Sequence, residues 1–183
     1  MPDPARRSLR QPLLTTSELS LAGLVVLTLV SVVVLSTQIE APEWLRNAAL
    51  FGHLMALLLG FGSVLSVDWF GLLWLLRRVP LAVVIAQADR MAVPIWLGTM
   101  GLCATGALLR PDLHSPLTVV KMVCVLGVVL AGVTTISTKR IMVGQLPRVS
   151  RSVLVRGAIL AGASQTFWWV SCLIGFMTVL ERH

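Results

Sequence analysis

The chain has 183 residues, of which 56% are hydrophobic and 13% charged, with a mean hydropathy of +0.88 and a formal net charge of +7. So little polar material excludes a sizeable soluble domain, and basic residues gathered in short loops between apolar runs point to membrane topology rather than to nucleic acid. Three cysteines, Cys103, Cys124 and Cys172, lie within apolar runs without C-x-x-C spacing, which argues against a disulfide framework or a zinc knuckle.

Residues 1–18 read as a basic cytoplasmic tail, with Arg6, Arg7 and Arg10 among prolines. Thr15, Thr16 and Ser17 are candidate caps for the first helix, and Glu18 suits its first turn. The apolar run 19–36 is predicted to be an uncleaved membrane helix. Its basic start resembles a signal peptide, but the run is long and Thr37 to Ala41 offers no small-x-small cleavage site. After a loop with Glu40, Pro42 and Glu43, Trp44 marks an interface and opens a second helix that ends at Arg77-Arg78-Val79-Pro80.

Residues 81–88 are apolar but too short to span, so they read as a connector or interfacial segment closed by Asp89 and Arg90. The third membrane helix is expected over about 91–109, with Pro94 in its first turn. The fourth is expected over 117–136, stopping at Lys139-Arg140. A basic loop with Arg148, Arg151 and Arg156 then leads to a fifth helix over 157–180 and a short outer tail, 181–183.

With the N-terminus in the cytoplasm, eleven basic residues fall inside and three, Arg46, Arg110 and Arg182, fall outside. The expected architecture is therefore all-α and polytopic, with five transmembrane helices, N-terminus in and C-terminus out. The last four (44–180) form a bundle and the first packs outside it. Gly127-x-x-x-Ala131, Gly157-x-x-x-Ala161 and Ala158-x-x-x-Gly162 are small-residue faces where helices can pack closely in lipid, or where the chain can dimerise.

Ionisable groups inside an apolar run are expensive and usually face a bundle interior or a cavity. His53 and Asp68 share one stripe of the second helix, with Leu57, Gly60 and Val64 between them. The topology puts His53 in the outer leaflet and Asp68 towards the cytoplasm, ~22 Å apart at ~1.5 Å per residue, which excludes direct proton exchange. Lys121 enters from the outer side near the level of His53. It reads either as a lysine snorkelling along its own helix or as a counter-charge beside His53 for an anionic headgroup, propionate or carboxylate. Asp68 has Arg90, Thr134, Thr135 and Gln165 as candidate inner partners, which makes a polar anchor of Asp68, Gln165 and Arg90, or a proton or cation relay.

Soft donors, including Met55, Met100, Cys103, Met122, Cys124, Cys172 and Met177, share the outer half with His53 and His114, a set that copper would accept and that also suits a plain apolar core. Haem b would need His53 together with His114 or a methionine, because no second membrane histidine exists. His53 is thus the metal or cofactor candidate. There is no glycine-rich phosphate loop, nucleophile elbow or H-E-x-x-H, so a non-enzymatic role is the more natural expectation.

Three motifs carry a resemblance: FGHLMALLLGFG with His53, SPLTVVKMVCVL with Lys121, and QTFWWVSCLIGF. From about Ala48 onward the chain resembles a group of small four-helix bacterial membrane proteins. The group includes the copper-resistance D domain, the membrane-embedded haem-binding protoporphyrinogen oxidases and related families of unknown function. Val120 stands where the oxidases place a histidine before the lysine, and the tryptophan-glycine pair of the copper group is missing. The likeness is nearest to the members of unknown function and implies a fold in the bacterial inner membrane.

Two functional expectations follow. One is a membrane protein with an outer-leaflet polar pocket that binds haem, copper or a small ligand. The other is a non-catalytic accessory or assembly subunit whose partners are other membrane subunits or copies of itself.

Overall fold

The structure is a computed structural model that describes residues 15–180. The basic tail up to residue 14, with Arg6, Arg7 and Arg10, and the last three residues, with Arg182 and His183, which were expected to form an outer tail, lie outside the described residues. Five helices follow in order: α1 (Thr16–Ser36), α2 (Glu43–Leu75), α3 (Leu81–Leu108), α4 (Pro116–Gly144) and α5 (Arg151–Leu180). Each contains a stretch long and apolar enough to cross a membrane, and no strand occurs among the described residues. Side chains such as Leu58 and Ile159, 67% and 65% exposed, suit a hydrocarbon solvent in place of water.

Three boundaries differ from those expected. Residues 81–88 are not a separate connector but the first turns of α3, which places Pro94 inside the helix rather than in its first turn. A proline there removes one backbone hydrogen bond and crowds the carbonyl four residues back, yet the helix continues on both sides. α4 runs past Lys139-Arg140 to Gly144, and α5 starts at Arg151, so Arg151 and Arg156 lie on a helix and not in a loop. Charged residues end a hydrophobic run without ending the helix, since lysine and arginine are good helix formers.

The start of α1 is a reciprocal capping box. The Thr15 backbone N–H donates to Glu18 Oε2 at 2.8 Å, and the Glu18 N–H donates to Thr15 Oγ1 at 3.3 Å.

The chain divides into two compact units, one of Leu27–Val119 and one of the chain up to Val26 together with Val120 onward. In the first, α2 and α3 pack through small residues. A Cβ on Gly98 would lie 2.4 Å from both the Cα and N of Gly60 and 2.7 Å from the Ala56 carbonyl oxygen. One on Gly101 would lie 2.9 Å from the Ala56 Cβ. In the second unit, the position of a Cβ on Gly127 is 2.6 Å from the Phe167 ring, and one on Gly157 would be 2.6 Å from the Met142 methyl. Arg140 Nη2 donates to Glu18 Oε2 at 3.3 Å, joining the first turn of α1 to α4, and Arg156 Nη2 donates to the fully buried Ser137 hydroxyl at 3.1 Å.

Gly98 meets backbone, which cannot rotate away. Gly98→Ala is therefore expected to destabilise the detergent-solubilised protein by about 1–3 kcal/mol. Gly62→Ala, whose Cβ would meet nothing within 4 Å, should leave the melting temperature within error or raise it slightly.

Candidate functional site

His53 lies about three turns into α2 and is half-buried. The small residues that bring α3 close also set its surroundings. A Cβ on Gly52 would lie 3.3 Å from the Thr105 methyl, and one on Gly106 would lie 3.5 Å from His53 Cε1. The imidazole edge therefore lies beside a glycine of α3.

Thr105 provides the polar contact. Its hydroxyl donates to the Gly101 carbonyl one turn earlier at 2.6 Å, and the same oxygen lies 2.9 Å from His53 Nδ1. A threonine hydroxyl has one proton and two lone pairs. With the proton committed to Gly101, the oxygen accepts from His53, so Nδ1 carries hydrogen. In the neutral ring Nε2 is then the nitrogen with the lone pair. A ring nitrogen that donates to a fixed acceptor while the other carries a lone pair is the arrangement by which a neighbouring group orients a ligating histidine.

The other expected site residues are distributed as follows. His114 is exposed in the turn after α3, with its backbone N–H donating to Asp112 Oδ1 at 2.9 Å. It lines an open cleft with Ser36, Thr37, Arg110, Pro111, Asp112 and Leu113, and His53 is not among the lining residues. The two histidines therefore do not share that cleft. Lys121, on α4 in the other unit, is half-buried with its Nζ 3.6 Å from where a Gly175 Cβ would stand, so the ammonium lies against α5.

Towards the opposite end of α2, Asp68 is half-buried; Gln165 on α5 is half-buried and Arg90 on α3 is exposed. The polar contact between α2 and α3 at this level is Gln87 Nε2 donating to Ser66 Oγ at 3.0 Å. Sequence reading missed that pair because it took 81–88 for a connector. It also passed over Thr105, although Thr105 is a hydroxyl between Gly101 and Gly106 in an otherwise apolar stretch. Of the adjacent tryptophans on α5, Trp168 is 4% exposed and Trp169 58%.

Among the described residues, no group of three or more His, Cys, Asp or Glu side chains comes together as a metal cluster. The cysteines are free thiols, and Met55 and Met100 are 43% and 65% exposed.

Thr105→Val removes the acceptor and leaves the imidazole N–H unsatisfied. It is expected to cost about 1–3 kcal/mol in thermal or denaturant stability, with Thr105→Ser recovering most of the loss. A double-mutant cycle with His53→Ala should return a coupling of about 1 kcal/mol. No family model, curated protein or solved structure matches the chain.

Proposed function

We propose that this multi-pass membrane protein holds a metal cofactor or small ligand at His53, and that haem b, ligated through Nε2, is the first candidate. The observation that supports this reading is the His53–Thr105–Gly101 hydrogen-bond chain, which pre-orients the ring and assigns the lone pair to Nε2. Haem bound there would supply one-electron chemistry. The protein's own part is to hold the imidazole tautomer and its orientation and to surround it with apolar side chains. Thr105 acts through His53, so it is a positioning residue. Copper, which accepts imidazole, is a second candidate at His53.

The test is the visible spectrum, oxidised and reduced, and the elemental content of the detergent-purified full chain. A Soret band or stoichiometric copper that is lost in His53→Ala supports the proposal. Thr105→Val should retain the cofactor but weaken its binding about 10- to 100-fold. A colourless, metal-free native protein would reject it.

A second reading, that of a non-catalytic accessory subunit, is favoured by a different observation. Ala158, Ala161 and Gly162 on α5 are exposed, and a Cβ on Gly162 would meet nothing within 4 Å, whereas Gly127 on α4 is filled by Phe167. An exposed small-residue face suits close approach of another membrane helix. On this reading Gly162→Leu would remove a stoichiometric co-purifying subunit while leaving the melting temperature of the isolated chain unchanged. Retention of that subunit by the variant would count against it.

A further inference from the structure

Two arginines occupy the left-handed backbone region that helix endings usually give to glycine, Arg77 with φ 58° and Arg110 with φ 49°. Arg110 follows Leu109, the C-cap of α3, and its side chain accounts for its presence. Its Nε donates to the Ile39 carbonyl at 3.0 Å and its Nη2 to Glu40 Oε1 at 3.0 Å, tying the end of α3 to the loop between α1 and α2.

Arg77 holds the corresponding position after Leu76, the C-cap of α2. Its backbone N–H donates to the Trp74 carbonyl at 2.8 Å and that of Arg78 to the Leu73 carbonyl at 2.8 Å, the two bonds of a Schellman ending. Glycine would form the same turn without strain. Arg77 and Arg78 are both exposed, and among the described residues no carboxylate pairs with either. So no side-chain contact among the described residues explains an arginine at this strained position, in contrast to Arg110.

The surroundings indicate what would. Arg77 and Arg78 line an open cleft with Trp74, Val79 and Pro80. It lies where the apolar run of α2 ends, beside Leu75 and Leu76, 69% and 57% exposed. That is the depth at which hydrocarbon gives way to headgroups, and tryptophan is favoured there.

We infer that this cleft binds the phosphodiester of an anionic phospholipid headgroup. Each guanidinium is permanently charged and presents a planar fork that matches two phosphate oxygens, while Leu75 and Leu76 adjoin the acyl chains. The site is separate from His53 and does not depend on a cofactor there.

The experiment titrates short-chain phosphatidylglycerol into the detergent-purified full chain and follows the melting temperature. A saturable rise is expected, absent with short-chain phosphatidylcholine and with sodium phosphate at equal concentration. Arg77→Gly suits the backbone, so its unliganded melting temperature should equal or exceed the native value while its affinity for phosphatidylglycerol falls roughly fivefold. Arg78→Gln should lose a similar factor. Arg148→Gln, exposed in the loop after α4, should bind as the native protein does.

Native-like binding by Arg77→Gly, or an equal loss in Arg148→Gln, would overturn the inference in favour of diffuse attraction. An equal rise with inorganic phosphate would make a free anion the occupant and overturn it as well. A lowered unliganded melting temperature in Arg77→Gly would assign the arginine to the fold and likewise overturn it.

Discussion

The approach of Gly98 to Gly60 is the constraint on which the α2–α3 unit depends. In lipid the hydrophobic effect does not drive helices together, so packing distance is set by the smallest side chains at the contact. Because neither residue has a Cβ, the two backbones touch, and short side chains on either side come within reach of each other. The His53–Thr105 bond lies towards one end of that contact and the Gln87–Ser66 bond towards the other. In each, a longer side chain, His53 or Gln87, reaches a short hydroxyl on the facing helix.

The α4–α5 unit is joined differently. It uses long side chains, Arg156 to Ser137 and Arg140 to Glu18, with Phe167 filling the notch at Gly127. Glu18 serves twice, as the acidic half of the capping box and as the partner of Arg140, and it is 7% exposed. Buried carboxylates need both kinds of support, since an ion pair alone rarely offsets desolvation. The Thr15 N–H adds a second and shorter hydrogen bond to the same Oε2, at 2.8 Å against 3.3 Å from the guanidinium.

The number and approximate extent of the helices were legible in the sequence because each contains a long apolar run, and a run of that length has few alternatives to a helix in lipid. The cap of α1 was legible in part: Thr15 is one of three candidate caps and Glu18 suits the first turn, but their reciprocal pairing shows only in the structure. The ends of α3, α4 and α5 were not, because hydropathy marks where the chain meets water, and a helix built of Arg, Lys and Val can continue into water. At the candidate site, His53 was visible as an ionisable residue out of place. Thr105 was not, because a threonine in an apolar helix most often bonds its own backbone, and this one does that as well as meeting His53. The glycine contact of α2 with α3 was written as Ala56-x-x-x-Gly60, a pattern too common to single out before the facing Gly98 was known. His114 shows the converse limit, since a loop residue is placed by turns that hydropathy does not describe.

Pro94 divides the attachment of α3 to α2 into two stretches. The residue lies between Gln87, which bonds Ser66 of α2 on one side, and the run Gly98, Gly101 and Thr105, which meets α2 on the other. One rung of the backbone ladder is missing at that point, so each half of α3 is held to α2 by side-chain and backbone contacts of its own.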